Sequence, residues 1–255
     1  MGQAGVTRGN GGQRAAAPGL PLSGVPAQAG EPRQPAGPPR PAAQEQGGDV
    51  TGQAAAGDGD PVPPGQHLAR IWPVMHYGPV PKFRPERWDL RVFGATESGA
   101  DQRWDWADLA ALPRCRVTAG FHCVTKFTIP DVTWEGIAAA EILRVVPPDP
   151  EVTHVMAWAD YGYSANLRIG DFADDRTLLA THRDGAELAP EHGFPLRLVV
   201  PCLYGWKSVK WLRALEYMTA DRRGFWEERG YHNRADPWHE QRYSYQERDG
   251  DGPPL

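Results

Sequence analysis

The stretch that decides the fold is Gly120-Phe121-His122-Cys123-Val124-Thr125-Lys126-Phe127, with Thr133-Trp134-Glu135-Gly136 close behind it. Apolar and polar residues alternate over residues 115–121, and this period of two predicts a strand that ends at His122 and Cys123. Apolar residues recur at helical spacing over residues 134–145 and proline follows, so a helix is predicted there. The cysteine is therefore expected at a strand end, where its side chain can face a cleft.

Cys123 is the leading candidate for chemistry, because a thiolate is a soft ligand suited to copper, zinc, iron–sulfur clusters or a heavier thiophilic metal. Three other interpretations stay open. The residue can be a small buried hydrophobe, a nucleophile paired with a distant histidine, or a zinc ligand together with Cys115, His122 and Cys202. No C-x-x-C pair supports zinc, and no protease signature surrounds the cysteine.

The first quarter of the chain has a different composition from the rest. Residues 1–65 hold 15 of the 29 Gly and 11 of the 26 Pro without any Phe, Trp or Tyr, whereas all 10 Trp lie between Trp72 and Trp238. Such a segment cannot bury enough apolar surface to offset its chain entropy. We predict a disordered Pro/Gly/Ala-rich tail over residues 1–66, one domain over residues 67–245 and a flexible C-terminus over residues 246–255.

Net charge and cysteine content exclude several classes of protein. The formal net charge of -5 and the pI near 5.9 argue against a nucleic-acid binder, which usually carries a concentrated basic surface. No apolar run approaches the ~20 residues that cross a bilayer, and no secretory apolar region is evident. Three cysteines fit a reducing compartment. We expect a cytoplasmic protein with no membrane span and no nucleic-acid partner.

The remainder of the domain alternates short strands with few helices. Strands are predicted over residues 88–93, 154–158, 194–200 and 207–211, a hairpin over 177–185, and a helix capped by Asp105 over 105–112. An extended segment is predicted over residues 70–81, and a loop beside the site over 159–166. Because no regular βαβ repeat is present, the pattern indicates a mixed α+β domain.

A second group of residues could bind an anion. Guanidinium and ammonium groups neutralise phosphate, and hydroxyls complete its hydrogen bonds. The residues of this kind around two predicted strand ends are His192, Arg197, Lys207, Ser208 and Lys210. The plainer interpretation is a solvated strand edge, but Gly193 and Gly205 favour a pocket because glycine permits close backbone approach.

Five stretches, in chain order, resemble the sulfite oxidase-like molybdopterin oxidoreductases, in particular the short bacterial members that lack a haem domain. They are His76-Tyr77-Gly78-Pro79-Val80-Pro81, Phe121-His122-Cys123-Val124-Thr125 with Trp134-Glu135-Gly136, Tyr161-Gly162-Tyr163-Ser164-Ala165-Asn166-Leu167, Glu191-His192-Gly193-Phe194-Pro195-Leu196-Arg197-Leu198-Val199-Val200-Pro201, and Tyr204-Gly205-Trp206-Lys207-Ser208-Val209-Lys210-Trp211. The resemblance spans residues 70–238, essentially the whole predicted domain.

The resemblance implies a mixed-sheet α+β fold of the sulfite oxidase type and a molybdenum–molybdopterin cofactor. The metal would be held by the pterin ene-dithiolate and by one protein thiolate, Cys123, with His122 and Lys126 beside it in the catalytic centre. The implied cofactor-binding residues are His76, Tyr77, Tyr163, Ser164, Asn166, His192, Arg197, Lys207, Ser208 and Lys210.

This sequence departs from the family pattern at three places. Lys126-Phe127 stands where short members usually carry Arg-Trp, so the charge is kept but bidentate anion recognition is lost. Cys202 replaces a usual glycine and Arg168 a usual proline. These departures bear on loop geometry and substrate choice more than on cofactor binding.

The implied activity is two-electron oxo transfer on a small sulfur-containing substrate, either sulfite-like oxidation or sulfoxide-like reduction. Since the chain carries no haem or iron–sulfur motif, electrons would pass to or from a separate partner, and a monomer is expected. Two alternatives remain, a catalytically inactive pterin-binding module and a zinc-stabilised interaction module. Metal content would separate the three.

Overall fold

The computed structural model describes residues 62–255, so the predicted tail lies outside the described residues except for its last five positions. Within residues 62–255 the strands are β1 (His67–Leu68), β2 (Asp89–Gly94), β3 (Gln102–Asp105), β4 (Cys115–His122), β5 (Phe127–Ala138), β6 (His154–Ala159), β7 (Ser164–Arg168), β8 (Leu178–Arg183), β9 (Ala186–Glu187), β10 (Arg197–Val199) and β11 (Leu212–Met218). The α-helices are α1 (Trp106–Ala110), α2 (Ala139–Val145) and α3 (Ile169–Phe172).

The strands form two mixed sheets. The first has the order β1-β5-β8-β10, with β4 paired to β5 and β9 paired to β8. The second has the order β3-β2-β11-β6-β7. Most neighbours are antiparallel, while β1 with β5 and β11 with β2 are parallel. Short helices beside sheets of mixed direction confirm the predicted α+β class.

The helix predicted over residues 134–145 is wrong in its first part. Strand β5 continues to Ala138, and α2 begins only at Ala139. Trp134 and Gly136 pair with β4 and β8 on either side, and both Trp134 and Ile137 are fully buried. A strand buried on both faces shows no alternation, which is why its apolar spacing resembled that of a helix.

Two further predictions are corrected in the second sheet. Residues 207–211 form turns instead of a strand, because Lys207 N donates to Tyr204 O and Ser208 N donates to Gly205 O. The strand begins just after them, at Leu212. The predicted loop over residues 159–166 ends early, since β7 starts at Ser164 and pairs with β6.

The first sheet contributes to two apolar clusters, one on each face. Leu179 and Leu198 belong to the larger core, together with β2, β6 and β11 of the second sheet. Ala180 and Val199 belong to a second cluster that contains Cys123. Because side chains alternate along a strand, Arg197 in β10 lies on the same face as Val199 and hence as Cys123.

Both ends of the described chain contact the domain. Gln66, inside the predicted tail, donates from Nε2 to the carbonyl oxygen of Cys123. Near the C-terminus, Arg223 donates to the carbonyl oxygen of Pro253, and Asn233 donates to that of Asp251. Residues 246–255, which the sequence predicts to be flexible, are thus hydrogen-bonded to the domain.

Two smaller features concern the helices. Asp105 caps α1 as predicted, with its carboxylate accepting from the backbone N–H of Asp108 at 2.8 Å. In residues 62–255 no helix is long and apolar enough to cross a bilayer.

Candidate functional site

Cys123 lies at the base of a tight hairpin between β4 and β5. Its N–H donates to Phe127 O at 2.8 Å, and the N–H of Lys126 donates to Cys123 O at 3.0 Å. The loop between them, Val124-Thr125-Lys126, ends with Lys126 in the left-handed region at a φ of 74°. This is the usual geometry of a three-residue hairpin loop, so the local backbone fixes where the sulfur lies.

Three distant segments hold this hairpin in place. Gly205 N donates to His122 O at 2.7 Å. Gln66 Nε2 donates to Cys123 O at 3.1 Å, and Arg242 Nη1 donates to Val124 O at 2.7 Å. Three successive carbonyls before and within the loop are therefore satisfied by other parts of the chain. A cysteine held this firmly suits a metal ligand, whose geometry must be set before the metal binds.

The sulfur of Cys123 faces a cavity of about 530 Å³. The walls combine apolar rings with few polar groups, as in most cofactor sites. The lining rings are Trp72, Tyr77, Phe121, Phe127, Tyr163, Trp206, Trp211, Trp226 and Tyr231. The polar groups that line it include Thr125, Arg197, Ser208 and Lys210. The residue Cys123 itself is only 9% exposed, so it is reached through this cavity.

Arg197 is a buried cation in the cavity wall. Its Nη1 donates to His192 O at 3.0 Å and its Nη2 to Ser208 O at 3.1 Å. Its Nε has no partner among the described residues. Burial, followed by the nearby charge of Arg183, lowers the pKa of Arg197 to about 9. A buried guanidinium without a carboxylate partner favours an anion nearby.

The pKa values of Lys210 and His192 are lowered in the same way as that of Arg197. Burial and then Arg197 lower the pKa of Lys210 to about 7. Burial and then Lys210 and Arg197 lower the pKa of His192 to about 4. All three pKa values fall mainly because burial disfavours the charged form, and repulsion by neighbouring cations lowers them further. A bound anion would remove this repulsion, so the residues present fit an anionic group.

Seven of the predicted site residues line this cavity. They are His76, Tyr77, Cys123, Tyr163, Arg197, Ser208 and Lys210. The structure therefore brings together, on one cavity, residues from all five stretches that carry the family resemblance.

The structure does not bring Ser164, Asn166 and Lys207 to the cavity. Lys207 is fully buried and forms an ion pair with Glu227 at 2.6 Å. Its ammonium also donates to Asn166 O and Oδ1, both at 2.8 Å. Ser164 is buried in β7. Lys207 and Asn166 thus form a buried polar network that does not line the cavity.

His122, Lys126 and His192 lie close to the cavity without lining it. His122 is buried and its Nδ1 lies 3.0 Å from Thr128 Oγ1. Lys126 is exposed. His192 stacks on the ring of Trp72, with centroids 4.5 Å apart, and Trp72 in turn lines the cavity.

Several lining residues were missed by the sequence reasoning. Thr125 lies two positions after Cys123, inside the stretch that decides the fold, so its position was the available signal. Met75 and Trp72 belong to the segment predicted to be extended. Trp226 and Tyr231 come from the segment after β11, and nothing in their local pattern indicates a site.

The structure offers no support for the zinc interpretation. Within residues 62–255, no group of three or more His, Cys, Asp or Glu side chains could hold a metal ion. Burial raises the pKa of the Cys115 thiol, and burial with nearby carboxylates raises the pKa of Cys202 to about 12. Both thiols therefore stay protonated at neutral pH, which disfavours metal binding.

A thiol and a cationic wall lie on one cavity, an arrangement that a metal-bearing anionic cofactor would fit. The family model described as "Oxidoreductase molybdopterin binding domain" matches residues 77–226. The chain belongs to this family of molybdopterin-binding oxidoreductases and is an enzyme of the sulfite oxidase-like type. The predicted family, fold class and kind of enzyme are thereby confirmed.

Individual relatives agree with this family assignment. "Uncharacterized oxidoreductase YuiH" of Bacillus subtilis (strain 168) is 39% identical over 185 residues, covering 72% of this chain and 92% of the relative. Mitochondrial sulfite oxidase of Drosophila melanogaster is 26% identical, covering 62% of this chain and 32% of the relative. The protein-methionine-sulfoxide reductase catalytic subunit MsrP of Gluconobacter oxydans (strain 621H) is 26% identical, covering 61% and 56%.

A solved structure shows the same fold. The sulfane dehydrogenase SoxCD from Paracoccus pantotrophus matches with a TM-score of 0.54 at 21% sequence identity. The match covers 64% of this chain and 47% of that chain. Cytoplasmic location, a monomeric state and a separate electron partner stay predictions from the sequence.

Proposed function

We propose that this chain is a molybdenum–pterin oxidoreductase in which Cys123 supplies the protein thiolate to the metal. The observation that carries the proposal is that Cys123, Arg197 and Lys210 line the same cavity. A soft thiolate suits a thiophilic metal, and the buried cations suit the phosphate of a pterin. Neither group alone distinguishes a cofactor site from an ordinary pocket, and their combination on one cavity supports a cofactor site.

The cationic wall would hold the anionic arm of the cofactor. Arg197, Ser208 and Lys210 all line the cavity and would face this arm. His76, Tyr77 and Tyr163 would contact the remainder of the pterin, because they line the same cavity. His192 would act through Trp72, on which it stacks, and Lys207 with Asn166 would stiffen the wall from behind.

When bound, the molybdenum–pterin group supplies two-electron oxo-transfer chemistry. The chain's own residues hold the group, orient it and exclude water from it. We propose a small sulfur compound as substrate. A sulfoxide would take up two electrons and two protons to give a sulfide and water. Sulfite and water would give sulfate, releasing two protons and two electrons to a separate carrier. The similarity to a sulfite oxidase and to a protein-methionine-sulfoxide reductase supports this class.

The first experiment measures molybdenum and pterin in the full chain purified from a host that makes the molybdenum cofactor. We expect nearly one molybdenum and one pterin per chain. Cys123→Ser should abolish the thiolate-to-metal absorption, whereas the matched variants Cys115→Ser and Cys202→Ser should keep it. A folded wild-type protein without molybdenum would overturn the proposal, and so would an unchanged absorption band in Cys123→Ser.

A second experiment tests the cationic wall and the substrate. Arg197→Met should lower cofactor occupancy, whereas Arg144→Ala should not, because Arg144 is paired with Glu141 on the surface of α2. The loaded wild-type enzyme should then reduce dimethyl sulfoxide with reduced methyl viologen or oxidise sulfite with ferricyanide. Full occupancy without either reaction would exclude the proposed sulfur substrates.

A further inference from the structure

Thr125 is the hydroxyl nearest to the proposed metal ligand. Its Oγ1 lies 3.1 Å from the sulfur of Cys123. The thioether of Met75 lies 3.9 Å from the same sulfur. Thr125 lines the cavity and lies at the centre of the hairpin loop.

We propose that Thr125 is a positioning residue that donates its hydroxyl to the sulfur of Cys123 and so sets the electron-donor strength of that thiolate toward the metal. The inference rests on the proposed function, since it requires Cys123 to bind the metal. A metal-bound thiolate carries no proton and can only accept a hydrogen bond. The hydroxyl must therefore be the donor whenever the metal is bound.

The competing acceptor for this hydroxyl within residues 62–255 is weak. Thr125 Oγ1 also lies 4.0 Å from the Met75 thioether, which is a longer contact to a poorer acceptor. Hydrogen bonds to an ionised acceptor are about twice as strong as those between neutral groups. The Thr125 hydroxyl therefore donates its hydrogen bond to the thiolate in preference to the Met75 thioether.

The loop geometry keeps the hydroxyl in place. Cys123 O accepts from Lys126 N across the loop, and Val124 O accepts from Arg242. Thr125 thus lies in a turn whose backbone is fixed on both sides. Its side chain has a β-branched Cβ and few rotamers, so little entropy is lost in holding the hydroxyl against the sulfur.

The hydrogen bond has a defined electronic consequence. A donor at the sulfur withdraws charge from the thiolate, which then stabilises the oxidised metal less. The reduction potential of the metal is raised, as hydrogen bonds to cysteine sulfur do in copper and iron–sulfur proteins. Loss of the donor should lower the potential and move thiolate-to-metal absorption to longer wavelength.

The test compares Thr125→Val with Thr125→Ser in the molybdenum-loaded full chain. Valine matches the shape of threonine and places a methyl group where the hydroxyl was, which also keeps water from replacing it. Serine restores the hydroxyl. The readouts are molybdenum content, the midpoint potential from a redox titration monitored by electron paramagnetic resonance, and the thiolate-to-metal absorption.

We expect Thr125→Val to show a more negative midpoint potential and a red-shifted band, and Thr125→Ser to resemble the wild type. Loss of molybdenum from the valine variant alone would also support a role of the hydroxyl at the sulfur. Wild-type potential and absorption in Thr125→Val would overturn the proposal, as would equal changes in both variants.

Cys123→Ser separates this proposal from the proposed function. If Cys123→Ser loses the absorption band while Thr125→Val keeps the wild-type values, only the role of Thr125 fails. If Cys123→Ser keeps the band, the cysteine does not bind the metal and both proposals fail.

Discussion

Lys210 donates a hydrogen bond of 2.7 Å from Nζ to the carbonyl oxygen of Met75, 135 positions earlier in the chain. The same ammonium donates to Glu191 O at 2.8 Å. The Met75 thioether lies 3.9 Å from the sulfur of Cys123. Lys210 therefore links the cationic wall of the cavity to the segment that lies beside the thiol.

Anion binding by the cofactor-free protein should weaken as the pH rises through about 7. Burial and Arg197 lower the pKa of Lys210 to about 7, against the smaller opposing effects of Glu191 and Cys123. Above that pH the lysine loses the charge that attracts an anion. Sulfate is a suitable probe because its charge is constant over this range, and its affinity should fall by up to about tenfold per pH unit.

The control for this pH dependence is Lys210→Met, measured by calorimetry between pH 5.5 and 8.5. The variant should bind sulfate more weakly at low pH and show no decline near pH 7. His192 does not contribute in this window, because its pKa is lowered to about 4. A decline that persists in Lys210→Met would assign the titration to another group.

Lys207 should be essential for folding stability, although it does not line the cavity. Its side chain is 1% exposed and pairs with Glu227, which is also buried and accepts from the Trp206 indole. Lys207→Met leaves that carboxylate without its cation, which typically costs about 3–5 kcal/mol. Urea unfolding of the cofactor-free protein measures the loss.

The double variant Lys207→Met/Glu227→Gln serves as the matched control. Because it removes both charges, it should recover part of the stability lost in Lys207→Met. If Lys207→Met lowers the unfolding free energy by less than about 1 kcal/mol, solvent reaches the ion pair as it does in exposed pairs.

The predicted strand over residues 115–121 was correct because one of its faces is more solvated than the other. Strict alternation of this kind identifies a half-buried strand. In the next element, the spacing of Trp134 and Ile137 led to the incorrect prediction of a helix. Three positions apart, they lie on opposite faces of β5, one in each apolar cluster. A helix would place them on one face, and the sequence alone cannot separate the two cases.

The site residues also divide into those whose position the sequence predicts and those whose position it does not. The sequence reasoning predicted that Ser208 and Lys210 share a face, and both line the cavity although their backbone is a turn. The inward side chain of Lys207 was not predictable, because its partner Glu227 lies 20 positions away in a segment without periodicity. Long-range pairing of buried charges leaves no local signal in a single sequence.

Gly205→Ala should destabilise the protein by about 1–3 kcal/mol, the usual cost of overpacking. A Cβ at this position would lie 2.3 Å from the ring tip of Phe121, and Gly205 N also anchors His122 O. Thermal unfolding of the cofactor-free protein measures the effect. Gly170→Ala in α3 is the control, since a Cβ there meets nothing within 4 Å and should not lower stability.

The double variant Phe121→Leu/Gly205→Ala checks the cause. Leucine removes the ring tip, so the alanine methyl group should cost less in this background than in the wild type. Equal costs in both backgrounds would show that the clash with Phe121 is not responsible.

Lys126→Gly should stabilise the hairpin that carries Cys123. Lys126 has a φ of 74°, a conformation that costs other residues about 1–2 kcal/mol but is open to glycine. Part of this gain is offset by the larger entropy that glycine loses on folding, which leaves an expected increase of about 0.5–1 kcal/mol in unfolding free energy. Lys126→Ala keeps the strain and should leave stability unchanged, so the pair isolates the backbone effect in thermal unfolding.

The same pair of variants decides what the Lys126 side chain does. Because this lysine is exposed and does not line the cavity, we expect both variants to keep wild-type molybdenum content and turnover. Loss of turnover in both, at unchanged molybdenum content, would instead support the catalytic role implied by the family resemblance. Stabilisation by glycine alone, with full turnover in both variants, would limit the contribution of Lys126 to the backbone geometry that presents the sulfur.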